Sequence, residues 1–279
     1  MPDQPERRHL QINGLRINYL DWGNPDAPPM VCVHGYTSSA ESFNAFARHM
    51  RDRFHIVVPD VRGHGDSEWS AEGAYQYADQ VADLEGFVDA LALDRFALVG
   101  TSMGGLIGMT YAGKHPERLT HFVINDIGPD VEAGSARITQ NVGARPDSFA
   151  SLDEAVEFRR STSANTAKRT PEDQAETAAG VLQARADGRW YWKLDPRYVS
   201  QRIEQGPPVR PPLWPALEVQ TCPTAVVWGR SSDVLSEAQA NKMVQTLKQG
   251  TLIAVADTEH APALIEPESR AGLDAFFAR

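Results

Sequence analysis

The chain has 279 residues and a formal net charge of −10, with 42% hydrophobic and 23% charged residues. This length suits one large α/β domain, or a core domain with an inserted subdomain, and the composition is that of an ordinary globular protein. The acidic balance argues against nucleic acid and anionic membrane surfaces as partners and mildly disfavours strongly anionic ligands.

Short apolar strands alternate with amphipathic helices along most of the chain. Strands are predicted at residues 15–19, 30–33, 56–58, 96–99, 122–124, 224–228 and 252–255. Helices are predicted at residues 41–50, 77–93, 105–111, 236–247 and 268–277. Continuous apolar strands separated by helices indicate a mostly parallel sheet that is covered on both faces.

The alternation stops after Pro129 and resumes near residue 216. Between these points the sequence predicts helices at 152–160 and 171–183, no strand, and a proline-rich return. We therefore divide the chain into a first core part (1–129), a mostly helical cap (130–215) and a second core part (216–279). The cap either covers a substrate pocket or is a surface elaboration. Its aromatic residues Trp190, Trp192 and Trp214 either line that pocket or pack the cap onto the core.

The sequence around Ser102 is typical of a nucleophile elbow. Gly100, Ser102 and Gly104 form the pattern G-x-S-x-G between a predicted strand and a predicted helix. Such a serine lies in a strained turn, and a Cβ at either glycine position would collide across it. The backbone amide of Met103 opens the helix and points to where an oxyanion would form. Ser102 is therefore the predicted nucleophile.

An acid and a histidine follow Ser102 in the chain order that a Ser-Asp-His hydrolase needs. Asp233 lies in a turn after an apolar strand, and His260 follows the last predicted strand. Loops at the carboxyl ends of parallel strands meet at one edge of a sheet, so these side chains can converge. Asp126, which ends another strand, is a second candidate for the acid, or it could hold the entrance to the cap. We favour Asp233 because its loop matches the usual acid turn.

With these motifs the chain resembles the serine esterase-like branch of the α/β-hydrolase fold superfamily, over nearly its full length. The segment His34-Gly35 after an early strand and the segment PDVRGHGDS at 59–67 strengthen the resemblance. It implies a mostly parallel, eight-stranded-type sheet flanked by helices, with an inserted helical cap. It also implies that the amide of Tyr36 joins that of Met103 as the oxyanion hole.

No metal or cofactor site is predicted. Cys32 and Cys222 lie in or beside predicted strands and are interpreted as core residues rather than as a disulfide or zinc ligands. No histidine pair has metal-ligand spacing, and no phosphate-binding glycine loop is present. His34 and His64 are assigned to hydrogen bonds within turns. The polar N-terminal segment and the absence of a long apolar run predict a cytoplasmic protein without membrane contact.

A serine nucleophile restricts the chemistry to acyl transfer, because its attack on an alkyl carbon would form an ether that water does not readily cleave. The predicted partner is a small acyl substrate, with carboxylic esters first and lactones or polyester oligomers left open. Two alternatives are a carbon–carbon hydrolase of ring-cleavage products and a non-catalytic ligand-binding protein on the same fold. Those hydrolases usually carry His-Gly-x-Gly-Pro-Gly, where this chain has HGYTSS. The sequence predicts neither the acyl group nor the oligomeric state.

Overall fold

A computed structural model describes residues 4–130 and 134–278, and a large central sheet organises them. Its eight strands are β1 (Glu6–Ile12), β2 (Leu15–Asp21), β3 (Pro29–Val33), β4 (His55–Pro59), β5 (Phe96–Thr101), β6 (Leu119–Asn125), β10 (Thr224–Gly229) and β11 (Gly250–Val255). The spatial order is β1-β2-β4-β3-β5-β6-β10-β11. The pairs β1–β2 and β2–β4 are antiparallel, and the remaining pairs are parallel. The carboxyl ends of the parallel strands therefore share one edge.

Helices cover both faces of this sheet. The α-helices are α1 (Asn44–Met50), α2 (Tyr77–Ala90), α3 (Met103–Lys114), α4 (Gly134–Gly143), α5 (Leu152–Thr162), α6 (Ala164–Ala167), α7 (Pro171–Val181), α8 (Pro196–Gln205), α9 (Trp214–Glu218), α10 (Glu237–Thr246) and α11 (Pro267–Phe277). Neighbouring residues of β5 belong to different apolar layers: Leu98 packs in the cluster with Phe87 of α2, and Val99 in the cluster with Phe276 of α11. Burial on both faces explains the continuous apolar strands of the sequence.

The segment between β6 and α9 builds a separate structure over one edge of the sheet. It contains α4 to α8 and a small antiparallel sheet of β7 (Ser148–Phe149), β9 (Trp190–Trp192) and β8 (Leu182–Ala184). It has its own apolar cluster, centred on Phe149, Ala155, Ala178, Val181 and Leu182. This is the region where the sequence predicts the cap, of which residues 131–133 lie outside the described residues. The domain boundaries at 129 and 215 stay a prediction.

The predicted mostly parallel sheet flanked by helices is confirmed, and each predicted strand lies within an observed one. The expectation of a cap without strands is wrong, and the predicted helix 171–183 ends at Val181, one residue before β8 begins. Pairing with β9 decides the conformation of residues 182–184, and this long-range contact leaves no local signal. Strand β1 was missed because its residues are mostly exposed and lack an apolar run.

Two further expectations concern the core and the membrane. Cys32 and Cys222 are both buried and free, as expected for core residues. Among residues 4–130 and 134–278 no helix has the length and apolar character needed to cross a bilayer.

Candidate active site

Ser102 lies in a sharp turn at the central strand of the sheet. Strand β5 ends at Thr101, α3 begins at Met103, and Ser102 between them has φ 51° and ψ −114°. A Cβ added at Gly100 would lie 2.5 Å from the carbonyl oxygen of Gly104. A Cβ added at Gly104 would lie 2.0 Å from the carbonyl oxygen of Val33. Only glycine fits at these two positions, which explains the small-x-Ser-x-small pattern. The turn places the Ser102 side chain at the carboxyl edge of the sheet.

His260 bridges Ser102 and a buried carboxylate. Its Nε2 lies 2.8 Å from the Ser102 Oγ, and its Nδ1 lies 2.9 Å from an Asp126 carboxylate oxygen. A carboxylate only accepts hydrogen bonds, so Nδ1 carries the proton and Nε2 is free to accept from the serine hydroxyl. This is the arrangement in which a histidine acts as a general base towards a serine.

Asp126 is held rigidly behind the histidine. It follows β6 directly and is completely buried. One carboxylate oxygen accepts from the backbone amide of Gly229 at 3.0 Å, and the other accepts from the Ser232 hydroxyl at 2.7 Å. With His260 these donors satisfy a carboxylate that would be costly to bury alone.

The expectation that Asp233 contacts His260 is wrong in this structure. Both Asp233 oxygens accept from Arg137 of α4, at 2.6 Å from Nε and 2.8 Å from Nη2. The Asp233 side chain is 43% exposed, and its hydrogen bonds from Arg137 hold its pKa below the usual value. The loop 229–233 supports the acid through Gly229 and Ser232, and it ties the cap to the core through Asp233.

The two residues predicted to supply oxyanion amides lie beside Ser102 in one cavity. Tyr36 follows β3, Met103 is the first residue of α3, and both line the cavity with the serine. The first amide of a helix has no intrahelical partner, so the Met103 N–H is available to a developing oxyanion. An added Cβ at Gly35 would lie 3.4 Å from the Ser102 Cβ, so this loop runs close against the elbow.

His34 and His64 have the structural role that their turns predict. His34 is completely buried; its Nδ1 donates to the Gly35 carbonyl at 2.8 Å, and its Nε2 accepts from the Val61 amide at 2.9 Å. Burial lowers the pKa of His34 to about 4 and that of His64 well below its usual value. Both rings therefore stay neutral and brace the loops below the site.

The space above Ser102 and His260 is a cavity of about 640 Å³ between the core and the cap. This volume is in the range of small-molecule sites. Among the tryptophans expected in a pocket, Trp192 lines the cavity. Trp190 packs against the apolar cluster of the cap, and Trp214 donates from its indole nitrogen to Asp130 at 2.9 Å. The pocket expectation is thus wrong for Trp190, which packs within the cap, and for Trp214, which packs against the main core cluster.

Four arginines that sequence reasoning did not single out also line the cavity. They are Arg145, Arg159, Arg169 and Arg202, and all four belong to the cap segment. Arginine is common on exposed helix faces, so nothing in the sequence marks these four. The cavity therefore combines Ser102 and His260 on the core side with guanidinium groups on the cap side.

Asn165 of α6 connects the cap to the loop that carries His260. Its side-chain amide donates to the backbone carbonyls of Glu259 at 2.8 Å and Ala261 at 3.1 Å. Its carbonyl oxygen accepts from the Glu259 amide at 3.1 Å. These bonds flank His260 on both sides along the chain, so Asn165 is a positioning residue for the histidine.

Asn165→Ala is expected to lower kcat about tenfold with a smaller change in KM. Without the hydrogen bonds from Asn165, His260 would be less well aligned with Ser102. Steady-state kinetics on a chromogenic ester measure both parameters. Lys168→Ala is the matched control, since Lys168 donates to the Asp257 carbonyl of the same loop, further from His260. Equal losses in the two variants would contradict a specific role of Asn165.

The chain belongs to the α/β-hydrolase fold family, whose model matches residues 28–267. Among curated proteins it is similar to the 3-hydroxybutyrate-oligomer hydrolase of Cupriavidus necator, at 31% identity over 94% of this chain and 92% of that protein. It is also similar to the 2-(acetamidomethylene)succinate hydrolase of Mesorhizobium japonicum, at 27% identity over 94% of this chain and 91% of that protein.

Solved structures agree with this assignment. The crystal structure of an α/β hydrolase from Novosphingobium aromaticivorans has a TM-score of 0.86 and 29% identity, covering 99% of this chain and 98% of that one. The crystal structure of E-2-(acetamidomethylene)succinate hydrolase also has a TM-score of 0.86, with 25% identity over 99% of this chain and 100% of that one. Hydrolase of the α/β fold is therefore the class of this protein.

Proposed function

We propose that the protein hydrolyses carboxylic esters through an acyl-enzyme on Ser102. The observation that carries the proposal is the hydrogen-bonded series Ser102, His260 and Asp126 at the floor of a cavity of about 640 Å³. A serine with a base at 2.8 Å and a base held by a carboxylate at 2.9 Å is the geometry of an activated nucleophile.

The reaction proceeds in two acyl transfers. The Ser102 Oγ attacks the ester carbon while its proton passes to Nε2 of His260, and the amides of Met103 and Tyr36 donate to the oxyanion. The carbon–oxygen bond to the alcohol then breaks, and the alcohol leaves with the proton from His260. Water attacks the acyl-enzyme with His260 again as base, and the acid and free Ser102 are released. Asp126 keeps the ring oriented and stabilises its cation in both steps.

Oligomers of short hydroxy acids are the substrate class we favour. The relative with 31% identity over 94% of the chain is named for 3-hydroxybutyrate oligomers, and such an oligomer is a linear chain of carboxylic esters. The cavity volume of about 640 Å³ admits a ligand of several such units within the range of ordinary ligand sites. The sequence predicts a carboxylic ester as substrate and leaves polyester oligomers open, which is consistent with this substrate class.

An assay of the purified protein on p-nitrophenyl butyrate and on the linear 3-hydroxybutyrate dimer tests the proposal. We expect release of p-nitrophenol and conversion of the dimer to monomer, and a fluorophosphonate reagent should modify Ser102 and stop both reactions. Absence of turnover on esters together with hydrolysis of a carbon–carbon bond in a ring-cleavage product would favour the alternative hydrolase. Binding of the dimer without any turnover would favour a ligand-binding protein.

A further inference from the structure

The cap side of the catalytic cavity carries an excess of positive charge. Arg145, Arg159, Arg169 and Arg202 line it, and no aspartate or glutamate is among the lining residues that the structure describes. Within residues 4–130 and 134–278, Arg169 is the one member of the four with a carboxylate at ion-pair distance, Asp173 at 2.7 Å. In a chain with a net charge of −10, this local surplus is opposite to the overall balance. The mild bias against anionic ligands that the composition suggests therefore does not apply inside the cavity.

Several buried hydrogen-bonding atoms on the cavity residues have no partner. Within the described part of the chain these include Nε of Arg159, Nη1 of Arg202 and the hydroxyl of Tyr36. Buried polar atoms are almost always hydrogen-bonded, and each exception needs an explanation. Here three such atoms belong to residues of one cavity, and two of them are guanidinium donors. Among the described residues, the cavity wall therefore lacks acceptors for these two guanidinium donors.

Aromatic rings hold two of the guanidinium groups in place. The Arg145 guanidinium lies 4.1 Å from the ring centre of Trp192, and that of Arg202 lies 4.4 Å from the ring centre of Tyr36. Stacking on a ring occupies the flat face of a guanidinium and leaves the N–H groups at its edge for hydrogen bonds. The planar fork of N–H donors matches a carboxylate, which it binds in a bidentate manner.

The unneutralised charge affects the arginines themselves. Burial lowers the pKa of Arg145 to about 10, and burial together with the charges of Arg169 and Arg145 lowers the pKa of Arg159 to about 10. Both groups stay protonated at neutral pH. Asp147 near Arg145 and Asp173 near Arg159 offset only part of this desolvation, and a bound anion would offset more of it.

We infer that this arginine cluster binds the free carboxylate of the substrate, and that the enzyme prefers an ester whose alcohol part carries that carboxylate. The inference rests on the proposed ester hydrolysis and specifies its substrate. In a linear oligomer of a hydroxy acid, the terminal carboxylate belongs to the unit that leaves as the alcohol. Anchoring it at the cap would place the last ester bond at Ser102, so single units would be released from the carboxyl end.

A matched pair of substrates tests the inference: the linear 3-hydroxybutyrate dimer and its primary amide, which keeps the size and removes the charge. Because hydrogen bonds to charged groups are the strong ones, we expect kcat/KM for the acid to exceed that for the amide by about 10- to 100-fold. In Arg159→Met this ratio should fall by at least about threefold, mainly through a higher KM for the acid, because one of the four guanidinium groups is lost. Arg159→Lys should keep part of it.

Arg160→Met is the control, since Arg160 is the next residue of α5 but is exposed and paired with Glu157 at 2.9 Å. It should leave the ratio as in the wild type. A wild-type ratio near one, or an unchanged ratio in Arg159→Met, would overturn the inference while ester hydrolysis itself stands. Thermal unfolding of Arg159→Met checks that the variant is folded, and its Tm should stay near that of the wild type because the lost charge is desolvated and only partly offset by Asp173.

Failure of the proposed function is distinguishable from failure of this inference. If the wild type cleaves no ester, calorimetric titration with 3-hydroxybutyrate still tests whether the arginine cluster binds a carboxylate. Binding that Arg159→Met weakens and Arg160→Met retains would support an anion site on a protein with another activity. Equal binding, or no binding, in all three proteins would contradict the site.

Discussion

Ser102→Ala is expected to lower kcat of ester hydrolysis by about 10⁶-fold, the loss that removal of a serine nucleophile causes in a triad enzyme. The alanine has no oxygen for an acyl-enzyme, and the oxyanion amides alone support only a small residual rate. The fold should persist, because the left-handed turn is fixed by Gly100 and Gly104, whose space is filled by neighbouring backbone. Kinetics with p-nitrophenyl butyrate and a thermal unfolding curve measure the two outcomes.

The double variant Ser102→Ala/His260→Ala makes this prediction sharper. Every step in which His260 moves a proton forms or breaks the acyl-enzyme on Ser102, whose hydroxyl lies 2.8 Å from Nε2, so the two groups work as one unit. We expect the double variant to be about as slow as either single variant. A residual rate near 1% in Ser102→Ala would contradict a covalent mechanism. A double variant slowed by the product of both single effects would contradict the coupling.

Much of this site was predictable because the elbow has strict local requirements. The strand, turn and helix around Ser102 need glycines at two named positions, and those requirements are visible in one short segment. His260 was predictable from its place after the last strand. These features depend on neighbouring residues and chain order, which a single sequence contains.

Which carboxylate contacts His260 was not predictable on the same grounds. Asp126 and Asp233 follow β6 and β10, which are adjacent parallel strands in the sheet. Both aspartates therefore satisfy the chain order and come near the same edge. Asp126 lies directly after its strand, whereas Asp233 lies four residues beyond the end of its strand and pairs with the cap. Only the path of the two loops decides which carboxylate reaches His260.

The arginine cluster could not be predicted from the sequence for a different reason. Arg159 and Arg160 are adjacent in sequence on α5, yet one lines the cavity and the other is exposed beside Glu157. Which of them faces inward depends on how α5 packs over the core, and the low apolar content of the helix gives little guidance. Cap geometry, rather than local sequence, therefore determines the electrostatics of the site.

Asp126→Asn is expected to lower kcat/KM about 10⁴-fold, the effect of the same change in other serine triads. The asparagine carbonyl can still accept from Gly229, but its amide group then faces Nδ1 of His260. That nitrogen would become an acceptor, and the ring proton would move to Nε2, where it blocks acceptance of the Ser102 proton. Asp233→Asn, the matched control, should change kcat/KM less than threefold. Its exposed pair with Arg137 contributes about 1 kcal/mol or less to stability.

The double variant Asp126→Asn/Asp233→Asn decides whether Asp233 can replace the lost carboxylate. Asp233 is near enough that His260 contributes to its lowered pKa, but Arg137 holds both of its oxygens. We therefore expect the double variant to have the same residual kcat/KM as Asp126→Asn, measured with p-nitrophenyl butyrate. A further tenfold loss would mean that Asp233 turns from Arg137 to His260 when Asp126 is neutral. A large loss in Asp233→Asn alone would restore Asp233 as the catalytic acid and leave Asp126 a structural role.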